Sequence, residues 1–456
     1  MNIFRPVLSI LSRHILWGTV LLCLVCLSFF NCRSEKDKQA DEKITLQLMV
    51  WARARELGNL RTGLAEEFEP RYPNVQVEVV PVPGPNYATK LTTMLAAGLE
   101  PDLFMIHDNF LPTAVDNKLL LPLDEFVAKD PELDLADYYP EVVDLCRYNG
   151  RLYCMPVGFS VVMLYYNKEL FDDAGLEYPD ENWTWDDMHE AARKLTIPRG
   201  KDGRPPQYGL DGPGKWLDYF MFIWQNGGRV FDEKGKLVMG NPANLDAATE
   251  AWQFVEDLTW NDKLTPSLSS AEVLPADPFI AGQIAMVITG TWKNNTLAAM
   301  GRDARDGAPA IRWGMAPMPK KKQRATLYFG GSPVISANTE HPEEAYQLLK
   351  FFTSDAWQKR VAESARQIPA RIDIAESDVF LKLDGIPDDV DMRQALDALP
   401  YARRQPNGRE TAEILSTWLM DFRDSVAAGE VDNIRQSIKK MQETYDARCP
   451  YCSAQR

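Results

Sequence analysis

Residues 147–171 read Arg-Tyr-Asn-Gly-Arg-Leu-Tyr-Cys-Met-Pro-Val-Gly-Phe-Ser-Val-Val-Met-Leu-Tyr-Tyr-Asn-Lys-Glu-Leu-Phe. Asn149-Gly150 is typical of a two-residue hairpin turn, because both residue types tolerate positive φ. Pro156 lacks a backbone donor and therefore ends the short apolar strand after the turn. Residues 161–166 are rich in β-branched and aromatic side chains and predict a buried strand. A hairpin, a break and a new core strand indicate a chain that leaves one sheet and starts another, as at a hinge between two lobes.

Upstream of this stretch, apolar patterns predict three strands separated by two helices. The strands are expected at 44–51, 75–82 and 102–106, and the helices around 60–72 and 87–97. This β-α-β-α-β order predicts an α/β fold with a parallel, doubly wound sheet. Ligands of such sheets bind beyond the carboxyl ends of the strands. The predicted ligand-side residues of this lobe are Trp51, Arg53, Asn86, Tyr87, His107, Asp108 and Asn109.

Downstream of the hinge, aromatic residues again come near predicted strand ends and loops. Trp292 follows a strand expected at 283–289, while Trp216 and Trp224 lie in an aromatic-rich segment. A sugar offers weakly apolar C–H faces, which stack on flat rings, and hydroxyls, which bind fixed acids, amides and guanidinium groups. Aromatic rings beside such polar groups therefore indicate a carbohydrate cleft.

The Tyr-x-Gly turn, the short strand ending in Pro and the run 164–171 resemble the hinge crossing of family 1 extracellular solute-binding proteins. These are the maltose-binding-protein-like, sugar-binding lipoproteins of ABC importers, and the resemblance extends over roughly 44–371. It implies a periplasmic-binding-protein-like type II fold, in which two doubly wound α/β lobes are joined by a hinge. The implied lobes are 44–156 plus 314–356, and 157–313 plus 357–448.

The resemblance also implies which residues approach the ligand. Family members bring backbone close to the ligand at the positions of Gly330 and Gly331, where absent side chains permit that approach. Ser160 stands where the family carries an acidic ligand residue, which leaves the identity of the sugar open. The residues alone allow other roles: a strand-end Trp can pack between layers, Asp108 can cap a helix, and two glycines can form a turn. The implied ligand set is Trp51, Arg53, Asp108, Phe159, Ser160, Trp292, Gly330, Gly331 and Arg371.

Residues 1–31 are typical of a secretion signal, because Arg5 and Arg13 precede an apolar run and no acidic residue lies within the segment. An uncleaved membrane anchor is the alternative, although the run is short for a span of about 20 residues. Cys32 closes the run and begins a polar tether at 32–43, which resembles a bacterial lipoprotein site. We therefore expect an exported protein, periplasmic or at the cell surface, held to a membrane by a lipid on Cys32. The alternative is a soluble protein cut nearby.

Two pairs of cysteines are candidates for disulfides. A two-residue turn would point Cys146 and Cys154 to opposite faces, whereas a three-residue loop would bring them opposite each other, so this pair stays open. Cys449-Pro-Tyr-Cys452 has redox-motif spacing, but no βαβ unit precedes it, so a disulfide that pins the tail 449–456 is expected instead. No other Cys or His spacing suggests zinc, and we expect no metal and no cofactor.

Charge and motifs exclude several classes of function. The net charge is −15, and removing residues 1–31 with their two arginines makes it −17. Such a surface repels phosphates and argues against a nucleic-acid partner. No Gly-x-Ser-x-Gly or His-Glu-x-x-His motif occurs, so we expect a binding protein and no enzyme.

The resemblance implies a monomer that captures a mono- or oligosaccharide between its lobes and delivers it to the permease subunits of an ABC importer. Three alternatives stay open. The first is binding of another solute, such as a polyol or peptide, and the second is a sensory receptor. The third is an exported glycosidase, which needs two carboxylates across a sugar-sized gap.

Overall fold

The structure, a computed structural model, describes residues 43–51, 54–198, 206–212, 218–266, 274–305, 307, 310–405, 411 and 414–448. The signal segment 1–31, Cys32, Cys449 and Cys452 lie outside these residues, so the predictions about them stay predictions. Within the described ranges, no helix is long and apolar enough to cross a membrane.

The elements alternate along the chain as in an α/β protein. The strands are β1 (Ile44–Trp51), β2 (Val75–Val82), β3 (Leu103–His107), β4 (Arg147–Tyr148), β5 (Arg151–Leu152), β6 (Gly158–Asn167), β7 (Tyr208–Asp211), β8 (Ile284–Gly290), β9 (Trp313–Ala316), β10 (Thr326–Ile335), β11 (Ile368–Pro369) and β12 (Ala402–Arg404). The helices are α1 (Ala54–Gly63), α2 (Gly84–Ala97), α3 (Leu111–Asp116), α4 (Asp124–Lys129), α5 (Pro140–Leu145), α6 (Lys168–Ala174), α7 (Trp185–Leu195), α8 (Asp218–Gln225), α9 (Leu245–Glu256), α10 (Lys293–Ala304), α11 (Pro342–Phe351), α12 (Asp355–Glu363), α13 (Ile372–Ala375), α14 (Asp378–Leu381), α15 (Arg393–Asp397), α16 (Met420–Ala427) and α17 (Ile434–Arg448).

Local signals in the sequence begin and end several of these helices. Thr184 caps α7: its hydroxyl accepts from the Asp187 N–H at 3.3 Å, and the Asp187 carboxylate accepts from the Thr184 N–H at 2.8 Å. This reciprocal pair satisfies two N–H groups that the helix itself leaves free. Gly98 ends α2 with a left-handed φ of 65°, the conformation that glycine adopts most readily.

One central sheet carries the order β2-β1-β3-β10-β6-β8-β7 in the described chain, with β9 and β11 on β6 and β12 on β10. Strand β1 is parallel to both β2 and β3, so the predicted β-α-β-α-β start is confirmed. Strand β10 is antiparallel to both β3 and β6. The result is a mixed sheet, with the parallel strands β2, β1 and β3 on one side of the crossing strands and the parallel pair β7 and β8 on the other.

Strands β6 and β10 connect the two halves of this sheet. In β6, residues 159–161 pair with β10 and residues 162–166 pair with β8. In β10, residues 328–330 pair with β6 and residues 331–335 pair with β3. Each strand therefore changes partner along its length, as a strand that crosses between two lobes must do. Strand β9 also pairs with β6, along residues 164–167.

Alternate side chains of β6 enter two different hydrophobic clusters. Odd-numbered residues of 161–165 join a cluster that includes residues of β1 and β3 and, from β10, Tyr328, Val334 and Ile335. Even-numbered residues of 162–166 join a second cluster, with α7, α8 and α9. Hydrophobic side chains of 361–399 belong to the first cluster, although the predicted division places 357–448 in the second lobe. The lobe boundaries therefore stay a prediction.

Cys146 and Cys154 form a disulfide next to the β4–β5 hairpin. The hairpin has the predicted two-residue turn, with φ of 50° at Asn149 and 78° at Gly150. The expectation of opposite faces treated Cys146 as part of a strand. In the structure Cys146 ends α5 with φ −88° and ψ −2°, so strand alternation does not apply to it. Its helical backbone lets the side chain reach Cys154.

Candidate functional site

Three aromatic rings meet at the carboxyl ends of β1 and β3. The ring of His107 stacks on Trp51 with centroids 4.4 Å apart and planes inclined by 7°. Tyr87, from α2, meets the same indole edge-on at 5.0 Å. A Cβ added to Gly331 would lie 2.9 Å from Trp51 Cζ2, so a glycine is needed behind this indole. The structure thus brings four of the predicted residues together at one rim, and we call them the first rim.

Tyr87 supports this rim from inside. Its hydroxyl accepts from the Met105 N–H at 2.9 Å and lies 2.8 Å from the Met105 carbonyl and 3.2 Å from the Met49 carbonyl. Only 5% of the residue is exposed, and burial raises the pKa of its hydroxyl well above the usual range. Tyr87 therefore fixes the ends of β1 and β3 relative to each other, and its ring edge holds Trp51.

His107 keeps part of its ring exposed at the first rim. Desolvation by its neighbours lowers the pKa of His107, and the positive charge of Arg366 lowers it further. The imidazole is therefore neutral at pH 7, with one nitrogen able to donate and the other able to accept. Arg366 is itself held by an ion pair with Glu56 of α1.

A second group of aromatic rings follows β8 and lies on β10. Trp292 folds back over Gly290, where an added Cβ would lie 2.1 Å from its ring. Its ring centroid is 6.0 Å from that of Phe329, which is half-buried on β10. Thr291 fixes this loop, because its N–H donates to the Val161 carbonyl at 3.0 Å. We call Trp292 and Phe329 the second rim.

The residues beside the crossing strands are mostly buried. Phe159 is 0% exposed and packs edge-on against Tyr139, so its side chain presents no surface to a ligand in this conformation. Ser160 is 5% exposed and pairs with Phe329. Gly330 pairs with Phe159, and an added Cβ would lie 2.6 Å from Leu145. These residues form the floor between the rims through their backbone.

Asp108 is also buried, at 7% exposure. Its N–H donates to the Gly330 carbonyl at 3.2 Å, and its Oδ1 accepts from the Gly330 N–H at 3.3 Å. Burial raises the pKa of Asp108 to about 6, although the Gly330 N–H and the charge of Arg404 oppose that shift. The neighbouring Asn109 is exposed at the rim, as is Asn86 at the start of α2.

Two predicted residues lie away from both rims. Trp224 is 5% exposed, packs on Phe220 and is covered by the guanidinium of Arg403 at 5.5 Å. Arg371 donates to both carboxylate oxygens of Asp373, at 3.0 and 2.8 Å. It lines a separate cavity of about 210 Å³, whose wall contains no residue of either rim. Arg53 and Trp216 lie outside the described residues.

Sequence reasoning missed several residues near the rims. Phe329 was passed over in favour of the glycines that follow it. Arg366 lies five positions before Arg371, the arginine of this segment that was predicted to approach the ligand. Arg404 lies on β12, whose pairing with residues 326–328 brings it next to the crossing strand, and Gln405 follows it. The three residues of β12 are too few to show a strand pattern in the sequence. The aromatic residue directly before Gly330-Gly331, by contrast, could have been recognised as a candidate from the sequence.

Comparisons with known proteins give a consistent result. The model of the family described as "Bacterial extracellular solute-binding protein" matches residues 55–359. An ABC substrate-binding protein from Listeria monocytogenes, solved in complex with cycloalternan, is 26% identical with a TM-score of 0.77, over 89% of this chain and 99% of its own. A solute-binding protein from Thermotoga lettingae, solved with alpha-D-tagatose, is 25% identical with a TM-score of 0.74, over the same shares. The arabinooligosaccharide-binding protein of Bacillus subtilis is 24% identical over 73% of this chain and 74% of its own length.

Proposed function

Because this chain belongs to the bacterial extracellular solute-binding protein family, with the type II fold of that group, we propose that it captures a carbohydrate for an ABC importer. The observation that carries the proposal is the placement of exposed and half-buried aromatic rings at both rims. Trp51 and His107 lie at the ends of lobe-one strands, whereas Trp292 follows a strand on the other side of the crossing. A ligand between them would contact both lobes.

The chemistry of the rims suits a sugar. The Trp51–His107 stack and the indole of Trp292 offer apolar ring surface for C–H groups. Neutral His107 both donates and accepts, and the exposed amides of Asn86 and Asn109 do the same, so all three match hydroxyl groups. The net charge of −17 after loss of residues 1–31 disfavours an anionic ligand. These features support a neutral, hydroxyl-rich solute over a phosphate or a carboxylate.

The mechanism is capture through a change of conformation. A ligand that contacts both rims favours the closed state over the open state by the contacts it gains on closure. The crossing strands β6 and β10 are the elements that would bend. The closed protein then docks on the permease subunits, whose ATPase drives import.

The size of the sugar is left open by the relatives. One solved structure holds cycloalternan, another holds alpha-D-tagatose, and a curated relative is named for arabinooligosaccharides. Ser160 stands where family members carry an acid, so a neutral hydroxyl replaces a charged carboxylate at this position of the floor. We therefore propose the carbohydrate class and leave the individual sugar to the experiment.

The family is extracellular, so the protein is exported. We further propose that residues 1–31 are removed and that Cys32 carries a lipid. Expression of the full chain in a bacterial host tests this by detergent phase partition. The wild type is expected in the detergent phase and Cys32→Ser in the aqueous phase. Equal partition of both would contradict the lipid anchor.

Thermal-shift measurement of residues 33–456 against mono- and oligosaccharides, polyols, peptides and amino acids tests the proposal. A ligand that binds only the folded state adds about 2.7 kcal/mol at one hundred times Kd. We expect a saccharide to raise the midpoint and Trp292→Ala to abolish the shift. Trp183→Ala, which removes a half-buried tryptophan outside both rims, is the matched control and keeps it. A hit confined to peptides or amino acids would overturn the sugar proposal, and cleaved product would indicate an enzyme.

A further inference from the structure

The carboxylate of Asp108 makes an unusual connection at the point where β10 changes partner. Gly330 is the last residue of β10 that pairs with β6, and Gly331 is the first that pairs with β3. Asp108 directly follows β3 and bonds both backbone groups of Gly330, through its own N–H and through Oδ1. Asp108 therefore connects the end of β3 to Gly330, the residue at which β10 changes its pairing from β6 to β3.

The second carboxylate oxygen is buried without such a bond. Oδ2 of Asp108 is inaccessible to solvent and has no hydrogen-bond partner among the described residues. Asp108 also lines a cavity of about 10 Å³, together with Gly330, Ser332 and the Cys146–Cys154 disulfide. That volume is close to the smallest that holds one water molecule. Oδ2 is therefore the oxygen that can carry a proton without breaking an existing hydrogen bond.

We propose that Asp108 is a positioning residue of the hinge, and that its ionised form holds Gly330 more firmly than its protonated form does. The physical reason is that an N–H bond to a carboxylate is stronger than one to a neutral carbonyl oxygen. Protonation at Oδ2 leaves Oδ1 as that neutral acceptor and relaxes the connection. The pKa of Asp108, raised by burial to about 6, brings this change within reach of mildly acidic surroundings.

Charged and titratable groups lie near Asp108 on several neighbouring elements. Arg404 on β12 acts directly on Asp108 and favours the ionised form. Arg404 is itself paired with Asp144, just before the hairpin, at 3.1 Å. Tyr328 on β10 is neutral, because burial raises its pKa. His107, the last residue of β3, is neutral above its lowered pKa. The disulfide carries no charge, and burial raises the pKa of Asp108 to about 6.

The Gly330 amide reports directly on this connection. Phe329-Gly330 is the only Phe-Gly pair in the sequence, so carbonyl-¹³C-Phe and ¹⁵N-Gly labelling isolates one amide signal in the whole protein. We expect its proton shift to titrate with a midpoint near 6 in the wild type. Asp108→Asn, which keeps an acceptor at Oδ1, is expected to remove the titration. Asp144→Asn, which removes a neighbouring exposed carboxylate, is the matched control and keeps it.

Three results would overturn the inference: a flat wild-type profile, a midpoint near 4 as for an exposed acid, or a titration that persists in Asp108→Asn. None of them depends on any ligand. The effect on affinity rests on the proposed function and is measured separately with maltotriose. Its Kd is expected to rise by up to about fivefold from pH 7 to pH 5 in the wild type and to stay constant in Asp108→Asn. Absence of maltotriose binding at every pH would count against that sugar, and the amide titration would still decide the role of Asp108.

Discussion

The imidazole of His107 lies flat on the indole of Trp51, with ring centroids 4.4 Å apart. The two residues are 56 positions apart in the sequence and meet because β1 and β3 are parallel neighbours whose carboxyl ends share one edge. Gly331 lies close behind the indole, and Tyr87 contacts it edge-on. The first rim is therefore a rigid aromatic surface in which the neutral imidazole of His107 is the polar ring. A rigid ring pair loses little conformational freedom when a ligand binds.

Gly331→Ala tests whether the stack matters for binding. The new methyl group would lie 2.9 Å from Trp51 Cζ2, so the indole must shift and the stack with His107 must loosen. We expect saccharide affinity to fall about tenfold while the free energy of unfolding falls by about 1 kcal/mol. Isothermal titration and urea unfolding measure the two quantities. Gly84→Ala, where an added Cβ meets nothing within 4 Å, is the control. Unchanged affinity in Gly331→Ala would show that the ligand does not use this stack.

Tyr87→Phe separates support of the rim from contact with ligand. Removing the hydroxyl leaves the Met105 N–H without its partner in a buried place. Such a loss costs about 1–3 kcal/mol, so we expect the urea midpoint to fall accordingly. Tyr148→Phe removes a hydroxyl bonded at 3.3 Å to exposed Asp116 and is expected to change stability by less than about 0.5 kcal/mol. Equal stability of the two variants would contradict a structural role for Tyr87.

The pH dependence of stability has a definite sign at Asp108. Its folded pKa of about 6 exceeds the ordinary value of 3.8, so the native state holds the proton more tightly between those pH values. The stability due to protonation is therefore full below pH 3.8 and is lost as pH rises through 6. Relative to wild type, Asp108→Asn should gain about 3 kcal/mol between pH 4 and pH 8. The lowered pKa of His107 makes stability rise with pH, the opposite of the effect of Asp108. Both proteins contain His107, so its contribution cancels in the difference between them. Urea unfolding at several pH values measures this gap, and a constant gap would contradict burial of an ionised Asp108.

The disulfide should contribute measurably to stability. Cys146 and Cys154 close a loop with a sequence separation of 8, and both are buried beside the crossing strand. Loss of a disulfide of this loop size costs about 2–4 kcal/mol. Replacing both cysteines with serine is expected to lower the unfolding free energy by that amount. Dithiothreitol should then lower the midpoint of the wild type only, and an equal response of the double variant would contradict the assignment.

Local signals explain how far the fold could be predicted from the sequence. The apolar run at 161–166 and the Asn149-Gly150 turn each depend on a few neighbouring residues, so both were predicted correctly. The sheet start followed from alternation of strands and helices, which allows few topologies. The change of partner at Gly330 was not predicted, because pairing between distant strands leaves no periodic trace in the sequence.

The candidate site was less predictable, for reasons visible in particular residues. Strand-end position correctly placed Trp51 and His107 together. Strand-end position did not reveal that Phe159 is fully buried. All residues of β6 are buried, so the sequence shows no alternation of apolar and polar residues that would distinguish one face of the strand from the other. Trp224 is covered by Arg403, which lies 179 positions later, and Arg371 is engaged by its neighbour Asp373. Burial by distant segments therefore decides which aromatic and charged residues reach a ligand.

The most direct test of the account is a crystal structure of the protein with the saccharide identified by thermal shift. We expect the sugar between the two rims, with one face on Trp51 or Trp292 and hydroxyls bonded to His107. We also expect Gly330 still bonded to Asp108 and the two lobes closed on the ligand. A saccharide bound instead in the 210 Å³ cavity beside Arg371, with the rims empty, would contradict the central claim.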